Sequence, residues 1–221
     1  MKFLILATYF LMTLYTFGQK HKIGVYSGVN ANGETYRPVA WPEFKLLIKP
    51  HFGVNYQFHF CEKFILSSQI GIIDKGFKYE NVLSLPDSAG NISITPISIS
   101  SVSIMRYLNT RVMVGYKYVT NDKSYSYLSI GLAPDILLAV KQRTVQNGVE
   151  YSSTNDTGKK LDINGIFKIG YNIALSSKIN LDLCGQFAAS LTPYIKKEFI
   201  VESFRPYHYS GQLTVGLQYS L

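Results

Sequence analysis

The side chains of this chain that could do chemistry are few and scattered. Four histidines occur, His21, His51, His59 and His208. A histidine acting as a base needs a nucleophile within hydrogen-bond reach and a carboxylate to orient its ring. His208 has Ser210 close behind it and Glu202 in the segment before it, but no Gly-x-Ser-x-Gly turn accompanies any of the four. Histidines solvated or bonded to neighbouring loops are therefore expected ahead of a hydrolase or acyltransferase site. The two cysteines, Cys61 and Cys184, have neither the spacing nor the neighbours of a metal or redox pair and are expected to be free thiols. No metal or organic cofactor is implied.

A second set of residues is more informative. Arg111, Lys117, Asp135, Asp162, Lys168 and Asp182 each have an apolar or aromatic residue beside them, as in Leu161-Asp162-Ile163 and Phe167-Lys168-Ile169. Charges placed this way share the polar side of an element whose other side is apolar. If that polar side is enclosed, the charges either line an ion path or pair across the interior and close it, because unpaired charge away from water is costly.

The elements that would hold them alternate with period two, the pattern of strands with unlike faces. Leu213, Val215, Leu217, Tyr219 and Leu221 stand on one parity, and Gln212, Thr214, Gly216, Gln218 and Ser220 on the other. The same division recurs around residues 23–29, 51–60, 64–72, 107–118, 128–138, 161–173 and 179–191, which makes eight segments. A slip of one residue would exchange the faces, so such regularity specifies an environment. Connections alternate in length. Short ones fall at Cys61-Glu62-Lys63, Thr120 to Ser124 and Ser176-Ser177-Lys178; long ones span 31–50, 74–101, 141–159 and 193–207. Short turns on one rim and long loops on the other are the arrangement of outer-membrane barrels.

Glycine recurs on the polar parity, at Gly24, Gly28, Gly53, Gly71, Gly115, Gly131, Gly170 and Gly216. Eight strands enclose little space, so small residues suit an inner wall. Aromatic residues, including Phe58, Phe60, Tyr116 and Tyr219, fall on the apolar parity toward segment ends, where lipid head groups would meet them. The expected fold is an all-β, eight-stranded antiparallel up-and-down transmembrane β-barrel over residues 19–221, with short periplasmic turns and long extracellular loops. A soluble lipocalin-like barrel, with the apolar set inward, is the rival arrangement. Folding Tyr118 opposite Ser126 sets Asn109 opposite Asp135 and leaves Arg111 one diagonal away, so Arg111 and Asp135 are the expected lumen charge pair and the lumen is expected to be plugged.

Residues 1–18 differ in kind from the rest. Lys2 precedes a nearly uncharged run from Phe3 to Phe17, shorter than the ~20 residues a membrane helix needs, and Gly18 supplies a small residue before Gln19. A cleaved signal peptide is expected there. The 221-residue chain is 47% apolar and 16% charged, with a formal charge of +8. Export removes nucleic acid from the expected partners and leaves outer-membrane lipid and lipopolysaccharide phosphates for the dispersed cations. Trp41, Lys196, Lys197 and Phe199, all in long loops, are the candidate contacts for a protein partner, with packing on the barrel mouth the equal alternative.

Ile23-Gly24-Val25-Tyr26-Ser27-Gly28-Val29-Asn30, Tyr107-Leu108, Ile130-Gly131-Leu132-Ala133-Pro134 and the closing Gly216-Leu217-Gln218-Tyr219-Ser220-Leu221 resemble the small outer-membrane β-barrel proteins of the Bacteroidota, a group that includes the PorT-type porin-like barrels. Members commonly continue the Tyr-Leu pair with Glu-Ile-Pro and often end in Phe, where this chain has Asn109-Thr110-Arg111 and Leu221. The resemblance implies this fold and an integral outer-membrane location, and no specific role carries over from it. The expected role is non-enzymatic: structural, secretion-accessory or surface-binding. A lipid-modifying enzyme with a rim histidine, similar to lipid A deacylases or acyltransferases, is the alternative. Protein isolated from membranes is expected to have an intact mass starting at Gln19; a mass that retains Met1 to Gly18 would refute cleavage.

Overall fold

The computed structural model of the chain describes residues 20–35, 44–60, 62–83, 97–121, 124–154, 159–193 and 207–221. Ten strands follow in order: β1 Lys20–Thr35, β2 Phe44–Lys45, β3 Leu47–His59, β4 Phe64–Leu83, β5 Ile97–Asn121, β6 Ser124–Gln146, β7 Val149–Ser153, β8 Leu161–Ala174, β9 Ile179–Ser190 and β10 Tyr207–Ser220. Setting aside the short β2 and β7, the remaining strands run β1-β3-β4-β5-β6-β8-β9-β10, each antiparallel to its neighbours. β10 then pairs back onto β1 from Lys22↔Ser220 to Thr35↔Tyr207, closing an eight-stranded ring.

The alternation read from the sequence becomes two faces of this wall. On β10, Leu213, Val215 and Leu217 are 67%, 54% and 49% exposed, while Gln212 and Thr214 are 4% and 8%. The other strands repeat the arrangement: Val25, Val54, Ile70, Val112, Ile130 and Ile169 point outward, and Asn55, Gln69, Asn109, Asp162 and Lys168 are buried inside. Such an outside is stable against hydrocarbon and unstable against water. The rival lipocalin-like arrangement requires the opposite assignment.

Glycines on the inner parity make room for aromatic rings. A Cβ on Gly53 or Gly71 would come within 2.6 and 2.4 Å of the Tyr26 hydroxyl, and one on Gly170 within 2.2 Å of the Tyr127 ring. Both tyrosines are buried in the barrel. In so narrow a ring a ring-bearing side chain fits only where the facing wall lacks a side chain.

Two of the expected long loops are strand over most of their length. β4 and β5 continue pairing from Asp74↔Arg106 to Leu83↔Ile97, so residues 74–83 and 97–106 form a raised antiparallel pair. Within 141–159, β6 runs to Gln146 and returns as β7 through Asn147-Gly148, whose positive φ values of 50° and 81° suit a tight Asn-Gly hairpin turn. β2 pairs with β4, so β2-β4-β5-β6-β7 form a sheet standing beyond the apolar band. The sequence pattern conceals this because both faces of the raised sheet lie outside lipid, where strict polar–apolar alternation is not required. Asp74-Lys75-Gly76 therefore resembles a strand end. In the structure, Asp74 receives both Nε and Nη2 of Arg106, at 2.8 and 3.0 Å, across the continuing ladder. Farther out, Glu80 lies 2.5 Å from Lys45 and 2.7 Å from Lys78. Hydrogen bonds from these two ammonium groups pull its carboxyl down to about 2, so the triad persists below ordinary carboxylate values and is lost as pH falls through about 2.

Replacing Val215 by Arg is expected to destabilise assembly in bilayers by roughly 2–4 kcal/mol, and Thr214→Asn by less. Urea titration of folding into phosphatidylcholine vesicles measures both. A spin label at 215 should meet lipid-soluble oxygen more than one at 214; the reverse result would invert the wall.

Candidate functional site: the ionic plug of the lumen

Lys75 is the centre of the outer half of the lumen. Continuing the inner parity of β4 through Gln69, Gly71 and Ile73 brings its side chain inside, where it is 2% exposed. Its ammonium lies 2.7 Å from Asp135 of β6 and 2.8 Å from Asp162 of β8, and it donates to Asn164 at 2.9 Å. It also stands 5.2 Å from the centre of the Tyr107 ring. Asn164 donates to Asp135 at 2.9 Å, and Ser190 of β9 donates to Asp162 at 3.0 Å. One cation thus ties together strands from opposite sides of the ring.

Arg111 forms the next layer inward. Its Nε donates to Asn109, and the other guanidinium nitrogens donate to Gln69 at 3.3 Å, Gln186 at 3.0 Å and Gln212 at 3.0 Å. Asn109 in turn donates to Asp135. The register read from the sequence is present, with Tyr118 opposite Ser126 and Asn109 opposite Asp135. The expected Arg111–Asp135 pair is nevertheless bridged: Asn109 stands between them, and the cation in direct contact with Asp135 is Lys75. Lys75 was hidden by reading 74–101 as a loop. Extending the parity of Ser67, Gln69 and Gly71 by two steps would have revealed it.

The half toward the short turns has its own network. Lys168 lies 3.6 Å from Asp182, which also accepts from the Tyr127 hydroxyl at 3.0 Å. Lys22 donates to Asn172 and Asn180, each at 2.9 Å. Lys117 stands 5.3 Å from the centre of the Tyr125 ring. Around Lys75 and Arg111, the space bounded by Ile73, Asp135, Asn164, Gln186 and Gln212 is narrow and crossed by their side chains. Ions withdrawn from water cost several kcal/mol each unless other groups satisfy them. Here amides, hydroxyls and opposite charges satisfy most of these groups, while Asp162 Oδ1 and Asp182 Oδ1 have no hydrogen-bond partner among the described residues.

The histidines are not placed as a solvated rim requires. His51 and His208 are 1% and 2% exposed inside the barrel, because both lie on the inner parity of strands that extend past the apolar band. His51 Nε2 is 3.1 Å from the Thr214 hydroxyl, and His208 Nδ1 is 3.8 Å from Asp162. His21 Nδ1 contacts the Tyr56 hydroxyl at 2.6 Å, and His59 meets Tyr125 edge to face. Ser210 accepts from Gln212 at 3.3 Å. Cys184 is a buried free thiol. Among the described residues no group of three or more His, Cys, Asp or Glu side chains could hold a metal ion. Residues 1–18, Trp41, Cys61, Lys196, Lys197, Phe199 and Glu202 lie outside the described residues.

A closed eight-stranded ring with an apolar exterior and a polar, filled interior is a small transmembrane β-barrel. No family model matches the chain, and no curated protein does. Among solved structures it is similar to Neisserial surface protein A, at 12% identity over 91% of this chain and 98% of that one, with a TM-score of 0.43. It is also similar to the attachment invasion locus protein Ail of Yersinia pestis, at 10% identity over 90% and 98% of the two chains, with a TM-score of 0.41. The outer membrane protein OprG of Pseudomonas aeruginosa is similar at 10% identity over 92% and 96%, with a TM-score of 0.46. No residue role carries over from these.

Lys75→Met leaves Asp135 and Asp162 facing each other without their shared cation. Such a loss costs about 3–5 kcal/mol, read as a lower urea midpoint for the vesicle-folded protein. Adding Asp135→Asn and Asp162→Asn should recover most of it. Full stability of Lys75→Met alone would show that the ion cluster holds nothing together.

Proposed function

We propose that the protein is a non-enzymatic integral component of a bacterial outer membrane, whose plugged barrel anchors a raised sheet for contact at the cell surface. The observation that carries this reading is the pairing of a filled lumen with the β2-β4-β5-β6-β7 extension. The barrel interior is crossed by the Lys75 and Arg111 networks, which favours an anchor over a conduit. The extension grows directly from three wall strands, so it is held rigidly and offers a surface built on regular structure. The segment Met1 to Gly18 has the features of an export signal, and the apolar wall suits an outer-membrane destination. The sequence resemblance to the small Bacteroidota barrels favours the same fold and compartment. An anchored surface sheet suits a structural, secretion-accessory or surface-binding role, with lipid and a protein partner as the molecules contacted.

Planar-bilayer recording of the refolded protein is expected to show no stable large conductance. Protease added to intact cells should cut near Asn147-Gly148, at the tip of the raised sheet, and leave the barrel strands in the outer-membrane fraction. A steady water-filled conductance would overturn the anchor reading, and recovery of most of the protein from the soluble periplasm would overturn the membrane location.

A further inference from the structure

The raised sheet ends in a strand with an open edge. β7 joins β6 through the two-residue turn Asn147-Gly148, with Gln146↔Val149 as the closing pair. In a hairpin closed this way the pair beside the turn exchanges both N–H···O bonds, and bonded and non-bonded pairs alternate from there. Val149, Tyr151 and Ser153 therefore bond to β6. Glu150 and Ser152 direct their N–H and C=O groups to the other side, where among the described residues no strand pairs with them. Tyr151 stands opposite Thr144, eight positions past Ile136 of the apolar band, which is about 27 Å of strand and clear of lipid.

Little guards this edge. Val149 and Tyr151 lie on one face of β7 and are 54% and 57% exposed although they stand outside the lipid zone. Charge or proline normally keeps such a strand from pairing further. β7 has no proline, and its one charged residue, Glu150, is held by Arg143 at 2.6 Å. The strand is also its own complement. Set antiparallel to a second β7 with Tyr151 opposite Tyr151, Glu150 falls opposite Ser152 and Val149 opposite Ser153, so the whole strand is paired and no carboxylate faces another. The free groups of Glu150 and Ser152 then supply both sides of a hydrogen-bonded ladder, and ring meets ring at the close, non-hydrogen-bonded position. Centring the pair on Glu150 instead would set carboxylate against carboxylate, and centring it on Ser152 would leave Val149 beyond the partner strand.

We propose that β7 pairs with the β7 of a second copy of this chain held in a facing membrane, joining two barrels head to head through one continuous sheet. The inference rests on the surface-anchor reading and names the partner of the raised sheet. Strands of such barrels lean roughly 35–45° from the barrel axis, and β7 lies alongside one of them. A twofold axis along the membrane normal, which relates copies in one membrane, would leave two β7 strands about 70–90° apart and unable to form a ladder. An axis lying between two facing membranes reverses the strand direction, as antiparallel pairing requires. One contact of this length is weak, and many copies on each surface strengthen it by multivalency.

The test uses the folded full chain at one copy per phosphatidylcholine nanodisc, which leaves both faces of the bilayer accessible and excludes contacts within one membrane. Sedimentation of concentrated wild-type discs is expected to show pairs of discs. Ser152→Pro removes an N–H from the free edge and none from the β6 ladder, and is expected to lose the pairing. In a Cys61→Ser, Cys184→Ser background, Tyr151→Cys should be trapped as a disulfide-linked pair, since directly opposed residues at a non-hydrogen-bonded position lie about 4.5 Å apart at Cα, within disulfide reach. Ser153→Cys, which this register sets opposite Val149, should not cross-link. Folding of each variant is checked by its heat-dependent shift on electrophoresis. If Ser152→Pro does not fold, the contrast between positions 151 and 153 carries the test. Discs that stay single, pairing unchanged in folded Ser152→Pro, or equal cross-linking at 151 and 153 would overturn the proposal. Failure of the wild type to insert into discs, or a steady conductance in planar bilayers, would instead overturn the anchor reading.

Discussion

The ladder between β1 and β10 is the interaction on which the rest of the structure depends. Hydrocarbon offers no water to unpaired amide and carbonyl groups, so a sheet that crosses it must have no edge. The chain meets this by returning Ser210 to Ser220 alongside Lys22 to Asn32. Once the ring is closed, every side chain is sorted to one of two environments, and the outward set must be apolar over the height of the bilayer. Val25, Leu217, Leu183 and Ile169 follow from closure as directly as the hydrogen bonds do.

Closure also determines the chemistry of the interior. Eight strands leave a narrow bore, which Tyr26 and Tyr127 occupy against glycines while Lys75 and Arg111 reach across it. Charged groups in such a bore are stable only when coordinated. The carboxylates of Asp135 and Asp162 and the amides of Asn109, Asn164, Gln186 and Gln212 supply that coordination. The polarity of the inside is thus a consequence of using the outside for lipid, and the filling of the inside is a consequence of strand number.

Above the bilayer the prohibition on edges lapses. β2 and β7 end the raised sheet, and among the described residues the strand pairing of β7 is with β6 alone. The same three strands that form part of the wall carry the sheet outward, so the register set in lipid continues into the solvent-exposed part. Arg106 and Asp74 mark the change: they occupy the lipid-facing parity, yet form a bidentate pair one row beyond Ile72 and Leu108.

The amino-acid sequence by itself determined the period of two, the assignment of Leu213, Val215 and Leu217 to one face, the glycine-rich inner parity and the Asn109–Asp135 register. These are local properties, since a strand in lipid must show its alternation in its own residues and a short hairpin turn sets its own register. Only the tertiary structure decided that Lys75 meets Asp162, that His51 and His208 are enclosed, and that 74–83 and 97–106 rise as paired strands. Lys75 and Asp162 lie 87 positions apart and on strands that do not adjoin. Which side chains meet across a bore depends on the stagger of the closed ring, which no single segment encodes, and outside lipid the alternation that made the wall legible is no longer imposed on the strands.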